Sequence, residues 1–341
     1  MMLRKLFSLG LLLPLVVACA AGPAGDANAD TGVPDWVLNT PDDPRYVHGV
    51  GSAPLRGDPA EARRAAADRA RSDLISNMRV TVAGETTAWV ERVREGATGP
   101  VTRGFAQEVR ASVPETTLDE IEIVEAVPDG AEETLYVLAR LDRPAATMRL
   151  GNQLRDIREQ LDLFREREIP TGDRIRAVRA LKPAAELIGR ADSIEQQLSM
   201  VSTTGLPNRP VADDYADVLE RLWEALNSLR LDIDDSGMES RLRSGLREGL
   251  IREGLRVGGD GSPDLIIGGE LRLRNVQRGQ DHFAFAEGEV VIREPDGRVI
   301  GQFRQELREA SSDPGLAQDR VIGNLADSLG QSLGERLFQF L

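Results

Sequence analysis

The sequence predicts an α+β protein: two small α+β units joined by a helical bundle. Three observations carry this. Leu135, Val137, Ala139 and Leu141 alternate with Tyr136, Leu138 and Arg140, the period of a half-buried strand, and a similar alternation returns between residues 271 and 307. Between these regions Leu150, Leu154, Ile157, Leu161 and Phe164 step by four and three, as do Tyr215, Leu219, Leu222, Leu226 and Leu229, which is the spacing of a heptad seam. Asp58-Pro59 and Asp313-Pro314 mark helix starts, with an acceptor at the cap and proline in the first turn.

The N-terminus is of a different kind. Arg4 and Lys5 precede an apolar run, Leu6 to Val17, that is too short to span a bilayer. Val16-Val17-Ala18 then leads to Cys19, the single cysteine of the chain. This arrangement resembles the lipobox of bacterial lipoproteins. The resemblance implies cleavage after Ala18, recognition of Val16, Val17 and Ala18 by the signal peptidase, and lipidation of Cys19. A single acyl chain holds a protein only marginally. The three chains usual in that family imply stable anchoring, and Ala20, where retained proteins carry Asp, implies the outer membrane. Residues 1–18 are thus expected to be a signal peptide, and 19–32 the lipidated cysteine with a flexible tether. The dozen small and polar residues from Ala20 to Thr31 have a root-mean-square reach of about 20 Å.

The first folded unit is expected over 33–143. Tyr46 to Ala53 reads as a strand running into a glycine bend at Gly49 and Gly51. Asp58-Pro59-Ala60-Glu61 opens a helix to about Asn77, with Ala62, Ala66, Ala70 and Leu74 on one face. Val80 and Val82 begin a further strand, Ile121 and Ile123 another, and Pro128-Asp129-Gly130 turns into the strand over Leu135–Leu141. The order Pro34-x-Trp36, Tyr46 to Ala53, the Asp-Pro-Ala-Glu-Ala-Arg helix and Leu135-Tyr136-Val137-Leu138 resembles the LPP-twenty lipoprotein family over about a third of the chain. That family's domain is a small α+β fold of bacterial envelope lipoproteins, similar to domains of flagellar outer-membrane assembly proteins. It brings no catalytic residues with it.

Residues 144–229 are expected to form three helices, separated near Pro170-Thr171-Gly172 and Gly205 to Asn208. The last unit, 230–341, reads as a strand near Leu229–Ile233, a helix from Met238 to Glu253 capped by Ser236, three strands and a terminal helix. In the middle strand the apolar phase shifts from Phe283 and Phe285 to Val290 and Ile292, which predicts a bulge near Gly288. Leu325, Leu329 and Leu333 are the expected seam between the terminal helix and the sheet. This unit resembles small domains of envelope proteins that activate peptidoglycan synthases, and the N-terminal domain of the Tol-Pal periplasmic protein.

Charge and chemistry narrow the function. The chain carries 42 Lys+Arg against 56 Asp+Glu, a net −14, and loss of Arg4 and Lys5 takes the mature chain to −16. That balance argues against a nucleic-acid partner and against broad adsorption to anionic lipid. His48 and His282, the two histidines, fall in separate predicted units, and no Gly-x-Ser-x-Gly elbow occurs, so neither a Ser-His-Asp triad nor a zinc site is expected. Gly49-Val50-Gly51 lacks the third glycine of a dinucleotide loop, since Pro54 stands there. Asp232, Asp234, Ser236 and Gly237 match the start of an EF-hand loop, but its twelfth position is Arg243. Glu120, Glu122 and Glu125 could suggest paired carboxylates for glycan cleavage, but alternation puts Glu120 and Glu122 on the solvent face opposite Ile121 and Ile123. No catalytic, cofactor or metal residue is expected. The expected function is a non-enzymatic interaction or assembly factor on the periplasmic face of the outer membrane. Its expected partners are the membrane, through the lipid, and envelope proteins of peptidoglycan-synthesis or surface-appendage machinery. The alternatives are a peptidoglycan- or glycan-acting enzyme and a glycan-binding module.

Overall fold

A computed structural model describes residues 32–80, 100–112, 120–169, 172–203, 209–234, 236–259 and 261–341. The predicted lipidation segment Val16–Cys19 lies outside the described residues, as does Val82. The architecture is α+β, as the alternating and helical periods predict.

After a short turn of helix α1 (Asp35–Leu38), strand β1 (Tyr46–Pro54) leads to helix α2 (Pro59–Val80). Helix α3 (Pro100–Ser112) and strands β2 (Ile121–Asp129) and β3 (Thr134–Asp142) follow. The three strands form an antiparallel sheet in the order β1-β3-β2. Ala62, Ala66, Ala70 and Leu74 are buried, as the four-residue spacing predicts. The glycine bend is corrected. Strand β1 runs unbroken through Gly49 and Gly51, paired to Ala139 and Val137. A Cβ at either glycine would strike the backbone of Ala66 or Ala70, so these glycines bring helix and strand into close approach. The predicted strand at Val80 is also corrected. Met78 extends the buried stripe of Ala70 and Leu74, and the helix continues through Val80. Helix α3 has no counterpart among the expected elements, although Val101, Phe105 and Val109 bury one face at helical spacing.

Helices α4 (Arg143–Arg165), α5 (Arg174–Val201), the single turn α6 (Val211–Asp214) and α7 (Ala216–Ser228) occupy the middle of the chain. Asp142 and Asp173 cap the first two, accepting from the N–H groups of Ala145 and Arg176. The heptad positions Leu150, Leu154, Ile157 and Leu161 face Leu181, Ile188, Leu219, Leu222 and Leu226 in one buried cluster.

Strand β4 (Arg230–Ile233), helix α8 (Ser240–Arg252), strands β5 (Arg256–Val257), β6 (Leu265–Arg278), β7 (Asp281–Arg293) and β8 (Val299–Ser311), and helix α9 (Pro314–Phe340) complete the chain. The sheet order is β5-β4-β6-β7-β8, with β4 parallel to both neighbours and the rest antiparallel. Helices α8 and α9 cover one face. No bulge occurs at Gly288, for the β6–β7 register runs unshifted from Ile266–Arg293 to Arg278–Asp281. The residues facing the helices are Ala284, Ala286, Gly288, Val290 and Ile292, and Phe283 and Phe285 stand on the other face. Small residues are needed there because Leu325 and Leu329 fill the space a side chain at Gly288 would take. The cap of α8 is Glu239, accepting from Leu242 N–H, not Ser236. Helices α8 and α9 cross backbone to backbone: a Cβ at Gly245 would lie 2.5 Å from the Ala326 carbonyl oxygen, and Gly249 lies against Gly330.

The parts share a buried junction. Phe105 of α3 meets Trp223 of α7 and Phe338 of α9 edge-on, each at 6.0 Å between ring centroids. Lys182 Nζ donates to the Phe338 carbonyl at 3.0 Å, placing a cation at the C-terminal end of α9.

Leu329 is fully buried in the predicted seam. Leu329→Ala is expected to cost about 2–5 kcal/mol, read as a lower urea midpoint of the full chain. A midpoint equal to the parent's would show that the leucine does not hold the helix to the sheet.

Candidate functional site

A cleft of about 750 Å³ lies between the start of α5, the Ser262–Asp264 segment and the β7–β8 hairpin. Capping by Asp173 fixes the start of α5, whose first two turns carry Arg174, Arg176 and Arg179. The Pro295-Asp296-Gly297 turn, with Gly297 at φ +89°, brings Glu294 and Arg298 to the opposite wall. Arg174 Nη1 donates to both oxygens of Asp264, at 3.1 and 3.2 Å, and the Arg230 N–H donates to the same carboxylate at 2.8 Å. Arg179 Nη1 donates to Glu294 at 2.6 Å and Arg298 Nε at 3.0 Å. The Arg298 hydrogen bond, with Arg179 adding to it, holds Glu294 below the usual carboxylate range.

That chemistry is one of closure. Glycoside cleavage needs one carboxyl that keeps its proton near neutral pH. Glu294 is biased the other way, and both deep carboxylates already accept charged hydrogen bonds. Two of the cleft's ion pairs join residues 90 and 115 apart in sequence. No spacing rule brings such pairs together.

The residues singled out from the sequence do not converge. His48 sits on the first sheet, with Nδ1 3.0 Å from the Pro41 carbonyl oxygen and its ring 6.2 Å from that of Tyr46. His282 lies on β7 of the second sheet, paired with Gln277 and Ser311. Asp232 Oδ1 accepts from the N–H of Ile233 and Asp234 Oδ1 from that of Ser236. The Ser236 contacts lower Asp234 from its ordinary value. Asp235 is outside the described residues, and among those described no group of three or more ligating side chains is assembled for a metal. Glu120 corrects the expectation of a solvated face. Its side chain is 14% exposed and holds Arg149, whose Nη2 donates to Oε2 at 3.0 Å. Glu122 stays on the surface and pairs with Arg140. Glu125 is exposed and lines a shallow hollow with Trp36.

One acid missed in the sequence has a proton affinity suited to acid–base work. Burial pushes Glu195 up to about 7, against the opposing effects of the Val211 N–H and Arg158. It sits inside the helical bundle, accepting from Val211 N at 2.9 Å, and is not among the residues lining the cleft. Its role there is to tie α6 to α5.

No family model matches the chain, and no curated protein matches it. Among solved structures it is similar to a minor lipoprotein from Acinetobacter baumannii, at 14% identity over 32% of this chain and 91% of that one, with a TM-score of 0.27. It is similar to the rare lipoprotein B from Shewanella oneidensis at 18% identity over 32% of this chain and 91% of that one, with a TM-score of 0.23. A secreted protein of Helicobacter pylori aligns with 86% of this chain and 97% of its own, at 14% identity and a TM-score of 0.45. These likenesses assign neither a family nor an activity.

The Glu195 carboxyl binds its proton more tightly folded than unfolded, where its value is near 4.5. Its contribution to stability is therefore complete below about 4.5 and is lost as pH rises through about 7. Glu195→Gln is expected to raise the melting temperature at pH 8 and leave it near the parent's at pH 4. A variant as pH-dependent as the parent across that window would rule out this burial effect.

Proposed function

We propose that the chain is a lipid-anchored protein of the bacterial envelope that works by protein contact rather than by turnover. The observation that carries the reading is Val16-Val17-Ala18-Cys19 behind a charged and apolar leader, with Cys19 the single thiol. Cys19 bears the lipid, Ala20 directs the protein to the outer membrane, and the folded part faces the periplasm within the short reach of its tether. Among the described residues no helix is long and apolar enough to cross a membrane. The partner belongs to an envelope assembly, of the peptidoglycan-synthesis or surface-appendage kind. The LPP-twenty resemblance of residues 33–143 supports this, through Pro34, Trp36, Tyr46–Ala53 and the helix after Asp58.

The rival reading is a glycan-acting enzyme. Its acids would come from the cleft, where Asp264 and Glu294 are tied to Arg174, Arg179 and Arg298. This favours contact, since freeing either carboxylate would break the link between α5 and the second sheet.

Cys19→Ala is expected to abolish acylation and to move the protein out of the outer-membrane fraction, or to leave unprocessed precursor. Labelling with a radioactive fatty acid and density fractionation read the two effects. A variant that is processed and sediments like the parent would refute the anchor. A folded Glu294→Gln variant that lost a peptidoglycan-degrading activity present in the parent would instead establish the enzyme.

A further inference from the structure

The outer face of the second sheet, opposite α8 and α9, carries an ordered pattern of charge and aromatic surface. The register sets Arg274, Phe285 and Arg308 side by side across β6, β7 and β8, and the next row outward is Val276, Phe283 and Ala310. The Arg274 guanidinium lies 4.1 Å from the Phe285 ring centroid, and that of Arg308 lies 5.8 Å from that of Phe283. Neither arginine has a carboxylate partner among the described residues. The neighbouring arginines differ: Arg272 pairs with Glu270 at 3.1 Å, and Arg304 with Glu287 and Glu289 at 2.9 and 3.0 Å. On the inward side the row Arg272, Glu287, Glu306 closes the patch with acid. A cationic, aromatic-floored patch thus stands on a chain of net charge −14.

We propose that this face binds an extended acidic segment of a partner protein, with carboxylates on Arg274 and Arg308 and apolar side chains on Phe283, Phe285 and Val276. The reasoning is charge complementarity joined to shape. A guanidinium stacked on a ring keeps its edge donors for bidentate contact with a carboxylate. Carboxylates at positions i and i+2 of an extended chain stand about 7 Å apart, within reach of both arginines on the strands flanking Phe285. An anionic bilayer fits less well. The two guanidiniums lie over rings rather than standing out from the sheet, and the remaining surface, net acidic, would repel such a bilayer. This proposal rests on the contact reading above and adds the chemistry of the partner.

The test uses the detergent-solubilised full chain and a fluorescein-labelled octapeptide, Ser-Glu-Ser-Glu-Ser-Leu-Ser-Leu, whose Glu and Leu side chains share one face when extended. The peptide is expected to bind, its counterpart with Gln for Glu to bind at least tenfold more weakly, and the double variant R274Q/R308Q to lose at least tenfold while keeping the parent's melting temperature. Arg320→Gln, on exposed α9, is expected to bind like the parent. Equal binding of the two peptides, no binding by the folded parent, or equal loss in Arg320→Gln would overturn the proposal. Phosphatidylglycerol vesicles that bind through Arg274 and Arg308 while the acidic peptide does not would overturn it in favour of lipid. Cys19→Ala leaves this measurement untouched, so failure of the anchor and failure of the patch are separable.

Discussion

Everything downstream of the first sheet is arranged around the place where Phe105, Trp223 and Phe338 meet. These rings come from three regions far apart in the chain, and two edge-on contacts at 6.0 Å bring them into one core. Such pairs are worth about 0.5–1.5 kcal/mol each beyond the apolar area they bury. Gly104, beside Phe105, is required by the same contact, since a Cβ there would lie 2.9 Å from the Phe338 ring. For Phe338 to arrive at this point, α9 must run its full 27 residues across the second sheet. That path in turn forces the close crossing of Gly245 and Gly249 on Ala326 and Gly330, and the small Gly288 beneath Leu329.

The same path decides which surfaces remain for function. Because α8 and α9 both lie on one face, the opposite face is left to Phe283, Phe285 and their arginines. The helical bundle is more than a spacer, because α5 grips the second sheet through Arg174–Asp264 and Arg179–Glu294. These pairs are partly exposed, so salt weakens them and the apolar junction carries most of the attachment. The cleft lies along that grip, which is why its charges are matched rather than poised for chemistry.

The legibility of the sequence follows from how far each signal reaches. Local periods are readable: the alternation of Leu135 to Leu141, the heptads of α4 and α7, and the caps at Asp58 and Asp313 all describe contacts within one element or one turn. Two of the failures share a cause, a neighbouring helix that sets what size of residue the sheet can hold. Gly49 and Gly51 looked like a bend and are close-approach positions under α2. The apolar phase of β7 shifts in the sequence from Phe283 and Phe285 to Val290 and Ile292, whereas Ala284, Ala286 and Gly288 are the residues that face the helices. The long-range pairs Arg174–Asp264 and Arg179–Glu294 and the acid Glu195 have no local signature, because their partners or their burial come from tertiary packing.

The central structural claim is that the two sheets and the bundle form one cooperative unit through the aromatic junction. Differential scanning calorimetry of the full chain tests it most directly. The account predicts a single transition whose calorimetric and van't Hoff enthalpies agree, and which Phe105→Ala splits or broadens. Two well-separated transitions in the unmodified chain, unaffected by Phe105→Ala, would contradict it.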